Sequence, residues 1–179
     1  MLCEVRLYRI LLMHTLSKNH KHHVELNIAD QKWVLLDEFD ELARRSINMT
    51  LECFDTEFPS SETHILATND TQMARLNGQY RNTNVTTNVL SWPVNQSTYP
   101  DHPEGNTSWK FLGDIAVAFD FCQNEAKLKG VRFDHHITHL LVHGCLHLLG
   151  FDHIDDADAR QMEQLEIKIL TKLGINNPY

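Results

Sequence analysis

A chain of 179 residues, 42% of them hydrophobic, carries enough apolar side chain for one ordinary core and too little length for a second domain. Its 24 acidic residues outnumber 16 basic ones, and the net charge of −8 argues against a protein that coats nucleic acid non-specifically, although a local basic patch would still serve. Four cysteines (Cys3, Cys53, Cys122 and Cys145) lie far apart with no C-x-x-C pair, which disfavours a zinc ribbon or a thioredoxin-like motif and suits a reducing cytoplasm.

Ile10, Leu11, Leu12 and Met13 form an apolar run far too short to span a bilayer, and no small-residue cleavage site follows. The polar, basic tract HTLSKNHKHH comes next. Residues 1–23 therefore read as a poorly ordered, solvated leader, with Met13 an alternative start, and residues 24–179 as a single domain. Val24, Leu26 and Ile28 alternate with polar residues as in a strand. Leu35, Leu36, Phe39, Leu42, Ala43 and Ile47 fall at helical spacing and predict a helix over 35–53. ETHILAT (62–68) predicts a second strand, and Asp70 caps a short helix carrying Met73 and Leu76 that Gly78 ends.

A polar loop opens at Arg81 and becomes a strand at Val89–Trp92, stopped by Pro93. Residues 94–109, rich in Pro, Asn, Ser and Thr, read as a surface loop and a candidate lid. FLGDIAVAF (111–119) is a buried strand, after which Asp120 caps a helix to Lys129 that Gly130 closes. A largely apolar helix covers 132–149 and ends at Gly150, and an amphipathic helix runs over 156–173. Four strands interleaved with helices predict an α/β or α+β domain in which helices cover a small sheet.

Twelve histidines are many for this length, and the segment HITHLLVHGCLHLLGFDH (136–153) concentrates them. His143 and His147 stand four apart, so both rings leave one face of a helix, one turn apart. Gly150 lets the chain turn sharply and bring His153 back towards the same point. The pattern H-x-x-x-H-x-x-G-x-x-H gathers three imidazoles on one side of an ion, and neutral imidazole suits zinc. Two histidines at helical spacing arise often by chance, but a third at this offset with glycine between is rare. The leucines around them bury the helix, and buried histidines need partners that a metal supplies. Structural zinc sites are closed by four ligands, usually with cysteine, whereas Cys145 points to the opposite face, so three histidines with an open position read as catalytic. His139, one turn earlier, is a fourth ligand, a pocket wall or a hydrogen-bonding partner of the ligands. Zinc proteases with HExxHxxGxxH carry a glutamate after the first histidine as general base; Gly144 stands there, which disfavours peptide hydrolysis.

HGCLHLLGFDH (143–153) resembles the H-G-x-L-H-L-x-G-[YF]-D-H motif of the bacterial YbeY endoribonucleases. LNGQYRNTNVTTNVLSWP (76–93), LGDIAV (112–117) and the tail QMEQLE…LGINNPY (161–179) follow the family in order, so the resemblance covers roughly residues 24–179. Trp92 stands where Phe is usual and Phe151 where Tyr is common. The resemblance implies an α+β fold with a small mixed four-stranded sheet and the histidine helix at its core. It implies a cytoplasmic, single-strand-specific, zinc-dependent endoribonuclease acting in ribosomal RNA maturation (16S 3′ end processing) and ribosome quality control. Its partners would be single-stranded RNA, ribosomal RNA and the small ribosomal subunit, with neither membrane nor DNA.

By the same resemblance one Zn²⁺ per chain is held by His143, His147 and His153, and the functional arginine is Arg81. A guanidinium opening a polar loop can donate two hydrogen bonds to a phosphate and offset transition-state charge, or simply form a surface salt bridge. Asp152 either orients a ligand histidine or caps the turn, and Asp114 either supports the ligands or serves the fold. Zinc lowers the pKa of bound water towards about 7, making hydroxide available without a glutamate; attack by the RNA 2′-OH is the second route. Two other functions compete: a ribosome assembly protein with structural zinc, and an atypical zinc peptidase.

Overall fold

Strands β1 (His22–Ile28), β2 (Ser60–Thr68), β3 (Val89–Pro93) and β4 (Trp109–Ala118) pair in the order β1-β2-β4-β3 in the computed structural model, which describes residues 22–54, 60–94 and 109–179. β1 and β4 both run parallel to β2, while β3 is antiparallel to β4, so the sheet is mixed. Parallel neighbours require crossovers, and helices supply them. The helices are α1 (Phe39–Glu52), α2 (Asp70–Arg81), α3 (Phe119–Lys129), α4 (Phe133–Leu148) and α5 (Asp156–Lys172). The fold is α+β, as expected.

Successive strand residues face opposite sides of the sheet, and the two sides hold different helices. Ile65, Ile115 and Val117 share one core with Leu141 and Cys145 of α4 and with Ala43 and Ile47 of α1. Leu90, Ala116 and Ala118 face the other way and pack against Met73 and Leu76 of α2. Val142 and Leu146 on the far side of α4 meet Met162, Ile169 and Leu170 of α5. The histidine helix is thus enclosed by the sheet, α1 and α5. Full burial of side chains such as Leu141 and Leu146 stabilises by about 1.5–3 kcal/mol each.

Several expectations change. The first strand begins at His22, because that ring is buried and its Nδ1 lies 2.7 Å from Ser61 Oγ on β2; His22 and His23 belong to the sheet. Residues 1–21 and most of the 94–109 loop (95–108) lie outside the described residues. The helix expected over 35–53 is split: a 3₁₀ helix spans Gln31–Leu35 and α1 starts only at Phe39. Trp33 drives the split, since its buried indole donates to the Thr68 carbonyl at 2.9 Å, which turns Leu35 out to solvent.

The cap of α2 is Asn69, whose side chain accepts from Gln72 N; Asp70 instead accepts from Phe121 N at 3.1 Å and ties α2 to α3. Gly78 does not end α2, which continues to Arg81 and closes at Asn82 in the left-handed region. A Cβ at Gly78 would lie 1.8 Å from Asn84 Oδ1, so this glycine admits the returning loop rather than stopping the helix. Arg81 accordingly sits in the last turn of a helix and does not open a loop. α3 begins at Phe119 without a side-chain cap, and Asp120, in its first turn, pairs with Lys32 at 2.5 Å.

Candidate metal centre

α4 sets His143 and His147 one turn apart with their Nε2 atoms 3.1 Å from each other. Gly150 adopts φ +91°, and the turn it makes returns His153 until its ring centroid is 5.3 Å from that of His143 and 5.1 Å from that of His147. One nitrogen from each of the three rings falls within a 4.8 Å cluster, which no fourth His, Cys, Asp or Glu joins among the described residues.

Hydrogen-bond partners fix the protons. His143 Nδ1 lies 2.8 Å from Glu166 Oε1, and His147 Nδ1 lies 2.9 Å from the Phe151 carbonyl. An ionised carboxylate and a carbonyl only accept, so both Nδ1 atoms carry hydrogen and, in neutral rings, both Nε2 atoms are bare lone pairs. Two lone pairs 3.1 Å apart repel unless a cation lies between them. Tetrahedral zinc with bonds near 2.0–2.1 Å places its ligand nitrogens about 3.3 Å apart, so the residues fit the ion. Burial and then the neighbouring His143 push the His147 pKa down, favouring the neutral form a metal requires. His143 and His147 are half-buried while His153 is exposed, which leaves the cluster open on one side.

Behind the three histidines lies Glu166 of α5, a side chain only 1% exposed. Its Oε1 accepts from His143, and its Oε2 accepts from His139 Nε2 at 2.6 Å and from the Tyr179 hydroxyl. Burial pushes this carboxyl up, but the hydrogen bonds from His139, His143 and Tyr179 outweigh it and hold the group at about 2. Burial, then Glu166, pushes the Tyr179 phenol up, so it stays a donor. His139 is therefore a partner of Glu166 rather than a fourth ligand. Glu166 and Tyr179 escaped the sequence reading. The available signal was a carboxylate on the apolar face of α5, level with Met162, Ile169 and Leu170.

Cys145 faces the core, where burial pushes its thiol up to about 12; it is no ligand. Asp152 accepts from His153 N at 2.8 Å and so caps the turn. Asp114 lies on the other face of the sheet, 3.6 Å from His64 Nδ1, and does not support the ligands. His64 also meets Glu62 at 3.2 Å and Glu25 at 3.4 Å, a second cluster separate from the histidines.

The three histidines come together, but Arg81 does not join them within one layer. It is exposed at the end of α2, on the sheet face opposite α4. The two share one end of the sheet: Tyr80 lies against Trp92 at 5.1 Å, Trp92 pairs with Asp114, and Leu148 of α4 packs over neighbouring Gly113. Among the described residues Arg81 makes no ion pair.

The family model described as Endoribonuclease YbeY matches residues 25–174. Endoribonuclease YbeY of Dinoroseobacter shibae is 44% identical over 164 residues, spanning 87% of this chain and 90% of that protein. Its counterpart in Ruegeria pomeroyi is 42% identical over 163 residues, spanning 87% and 97%. The solution structure of TM1509 from Thermotoga maritima shares the fold at a TM-score of 0.56 and 18% identity, over 84% of this chain and 88% of that one. An endoribonuclease, a hydrolase acting on RNA phosphodiester bonds, is the class these matches define. The chain belongs to the YbeY endoribonuclease family.

Proposed function

We propose that residues 22–179 form a single zinc-dependent domain that cuts single-stranded RNA, with one Zn²⁺ on His143, His147 and His153 and with Arg81 stabilising phosphoryl charge. Its setting is ribosomal RNA maturation, including the 16S 3′ end, and ribosome quality control in the cytoplasm, in contact with the small ribosomal subunit. The observation that carries the zinc reading is the pair of bare Nε2 atoms 3.1 Å apart beside an exposed third histidine. A zinc ion held there would supply Lewis acidity and an acidified water. No helix among the described residues is long and apolar enough to cross a membrane.

Placement of the charges supports a single strand. A substrate that touches both the histidines and Arg81 has to bend round the sheet, by the edge strand β3 or its end at Trp92 and Gly113, which a flexible strand with splayed bases can follow. In the other direction, the histidine stripe of α4 leads from His135 into a groove lined by Asp37, Glu38, Glu41 and Asp134 against the single cation Arg45, with Asp134 paired to Arg132, so its remaining net negative charge disfavours phosphate. Gly144 counts against peptide hydrolysis more strongly than its lack of a carboxylate suggests. A Cβ there would lie 2.9 Å from Ser91 Oγ, so the position faces the sheet and not the ion. The test compares zinc-loaded and metal-stripped protein on single-stranded and duplex RNA of one sequence. Zinc-dependent cutting of the single strand alone is expected; equal folding and no cutting in either state would favour an assembly protein with structural zinc.

A further inference from the structure

Glu166 occupies a place where physics disfavours a carboxylate. It stands on the apolar face of α5 with Met162, Ile169 and Leu170, and its side chain is 1% exposed. Replacing a buried charge by an apolar residue of similar size is often neutral or stabilising, so packing alone gives no reason for glutamate here. The hydrogen bonds do. Among the described residues Oε1 serves His143 Nδ1 alone, while Oε2 is taken by two donors from different parts of the chain, His139 on α4 and Tyr179 beyond α5.

That division of labour matters because the last torsion of a glutamate is broad and roughly two-fold. A carboxylate held only by His143 could rotate and carry its acceptor away from the ring. With Oε2 fixed by His139 and Tyr179, Oε1 has one place to be. The His143 ring then has one tautomer and one orientation, with Nε2 directed at His147.

We infer that Glu166 is a positioning residue of the metal centre, acting through His143, and that His139 and Tyr179 serve it by locking its second oxygen. This rests on the proposal that the three histidines hold zinc. The residues that make the site metal-ready therefore extend to Tyr179, well past the last ligand. Tyr179 is 60% exposed as a residue while its hydroxyl reaches the buried carboxylate, so it contributes this bond with little share in the core.

The probes are Zn²⁺, titrated in competition with a chromophoric chelator, and Co²⁺, whose visible absorption reports ligand geometry. The full chain is compared with Glu166→Gln, Glu166→Ala and Tyr179→Phe, with the melting temperature of each metal-free form measured alongside. Losing an outer partner of a metal ligand costs about 10- to 100-fold in metal affinity. Glu166→Ala is expected near the top of that range with an altered cobalt band. Glu166→Gln, which keeps an acceptor of the right length for His143, is expected near the bottom. Tyr179→Phe is expected to weaken zinc about 2- to 5-fold, one ordinary hydrogen bond felt at one remove. If Glu166→Ala fails to fold, the other two variants carry the test. Variants that melt lower but bind zinc as the wild type does, with an unchanged cobalt band, would show Glu166 to be merely structural and overturn the inference. A wild type that binds no zinc would overturn the metal centre as well, which separates the two failures.

Discussion

Gly144 lies between the two helical histidines of the cluster, and substitution there tests how α4 is seated. An alanine Cβ would come 2.9 Å from Ser91 Oγ, 3.1 Å from Ile115 Cγ2 and 3.3 Å from Ile115 Cδ1. Two opposing contributions set the outcome. Gly→Ala in a helix interior gains about 1 kcal/mol in propensity, while overpacking a tight core costs about 1–3 kcal/mol. Gly144→Ala should therefore lose between about 0 and 2 kcal/mol, a fall in melting temperature of a few degrees at this chain length. Ser91→Ala removes the nearest obstruction, so the double variant should recover much of the loss, leaving the propensity gain exposed. Gly144→Glu, which restores the protease motif in sequence, adds a buried carboxylate costing several kcal/mol, against a typical total stability of about 5–15 kcal/mol. It should fold poorly and hydrolyse no peptide. Urea denaturation of the four proteins in metal-free form is the assay. A stabilised Gly144→Ala together with a fully stable Gly144→Glu would refute the claim that this position lies flush on the sheet.

Metal analysis should find about one zinc per chain, most of it lost in His147→Ala; full occupancy in that variant would remove His147 from the ligand set. Arg81→Ala should keep zinc and melting temperature while activity on single-stranded RNA falls about 10²- to 10³-fold, the usual loss of a transition-state charge donor; unchanged turnover would dismiss Arg81. The Glu166 carboxyl is held at about 2 against an ordinary 4.5, so it stabilises the metal-free fold above pH 4.5 by roughly 3 kcal/mol and that contribution is lost as pH falls towards 2. The gap between the melts of wild type and Glu166→Gln should narrow as pH falls from about 4.5 to 3; parallel curves would contradict it. A substrate with one 2′-deoxy sugar at the cut should still be cleaved to a phosphate monoester if water attacks, whereas a 2′,3′-cyclic product detected by mass spectrometry would transfer that role to the RNA hydroxyl.

The histidine cluster was legible because its geometry is local: His143, His147, Gly150 and His153 are fixed by helical pitch and one turn. Strand and helix types were legible where apolar periodicity was strong, as in β2, β4 and α4. What escaped depends on distant partners. Trp33 breaks the first predicted helix through a bond to Thr68, Gly78 answers to Asn84, and His22 enters the sheet because Ser61 waits for it. One consequence is practical. Removing residues 1–23, harmless if they were all leader, now strips a buried histidine from β1. Glu166 escaped for the same reason, since its meaning lies in His139, His143 and Tyr179 and not in its own helix.

The order of elements along the chain also sets a timetable for synthesis. All four strands are complete by Ala118, before any of His143, His147 or His153 has been made. A nascent chain can therefore lay down its sheet first and dock α4 on it afterwards. Until α5 follows, Val142 and Leu146 have on their outer side only Met49, Cys53, Phe54 and Phe151, and lack Met162, Ile169 and Leu170. The interval between α4 and α5 is then when exposed apolar surface invites aggregation, and a chain stopped near residue 155 would carry His143, His147 and His153 on and just after a helix partly bare to water.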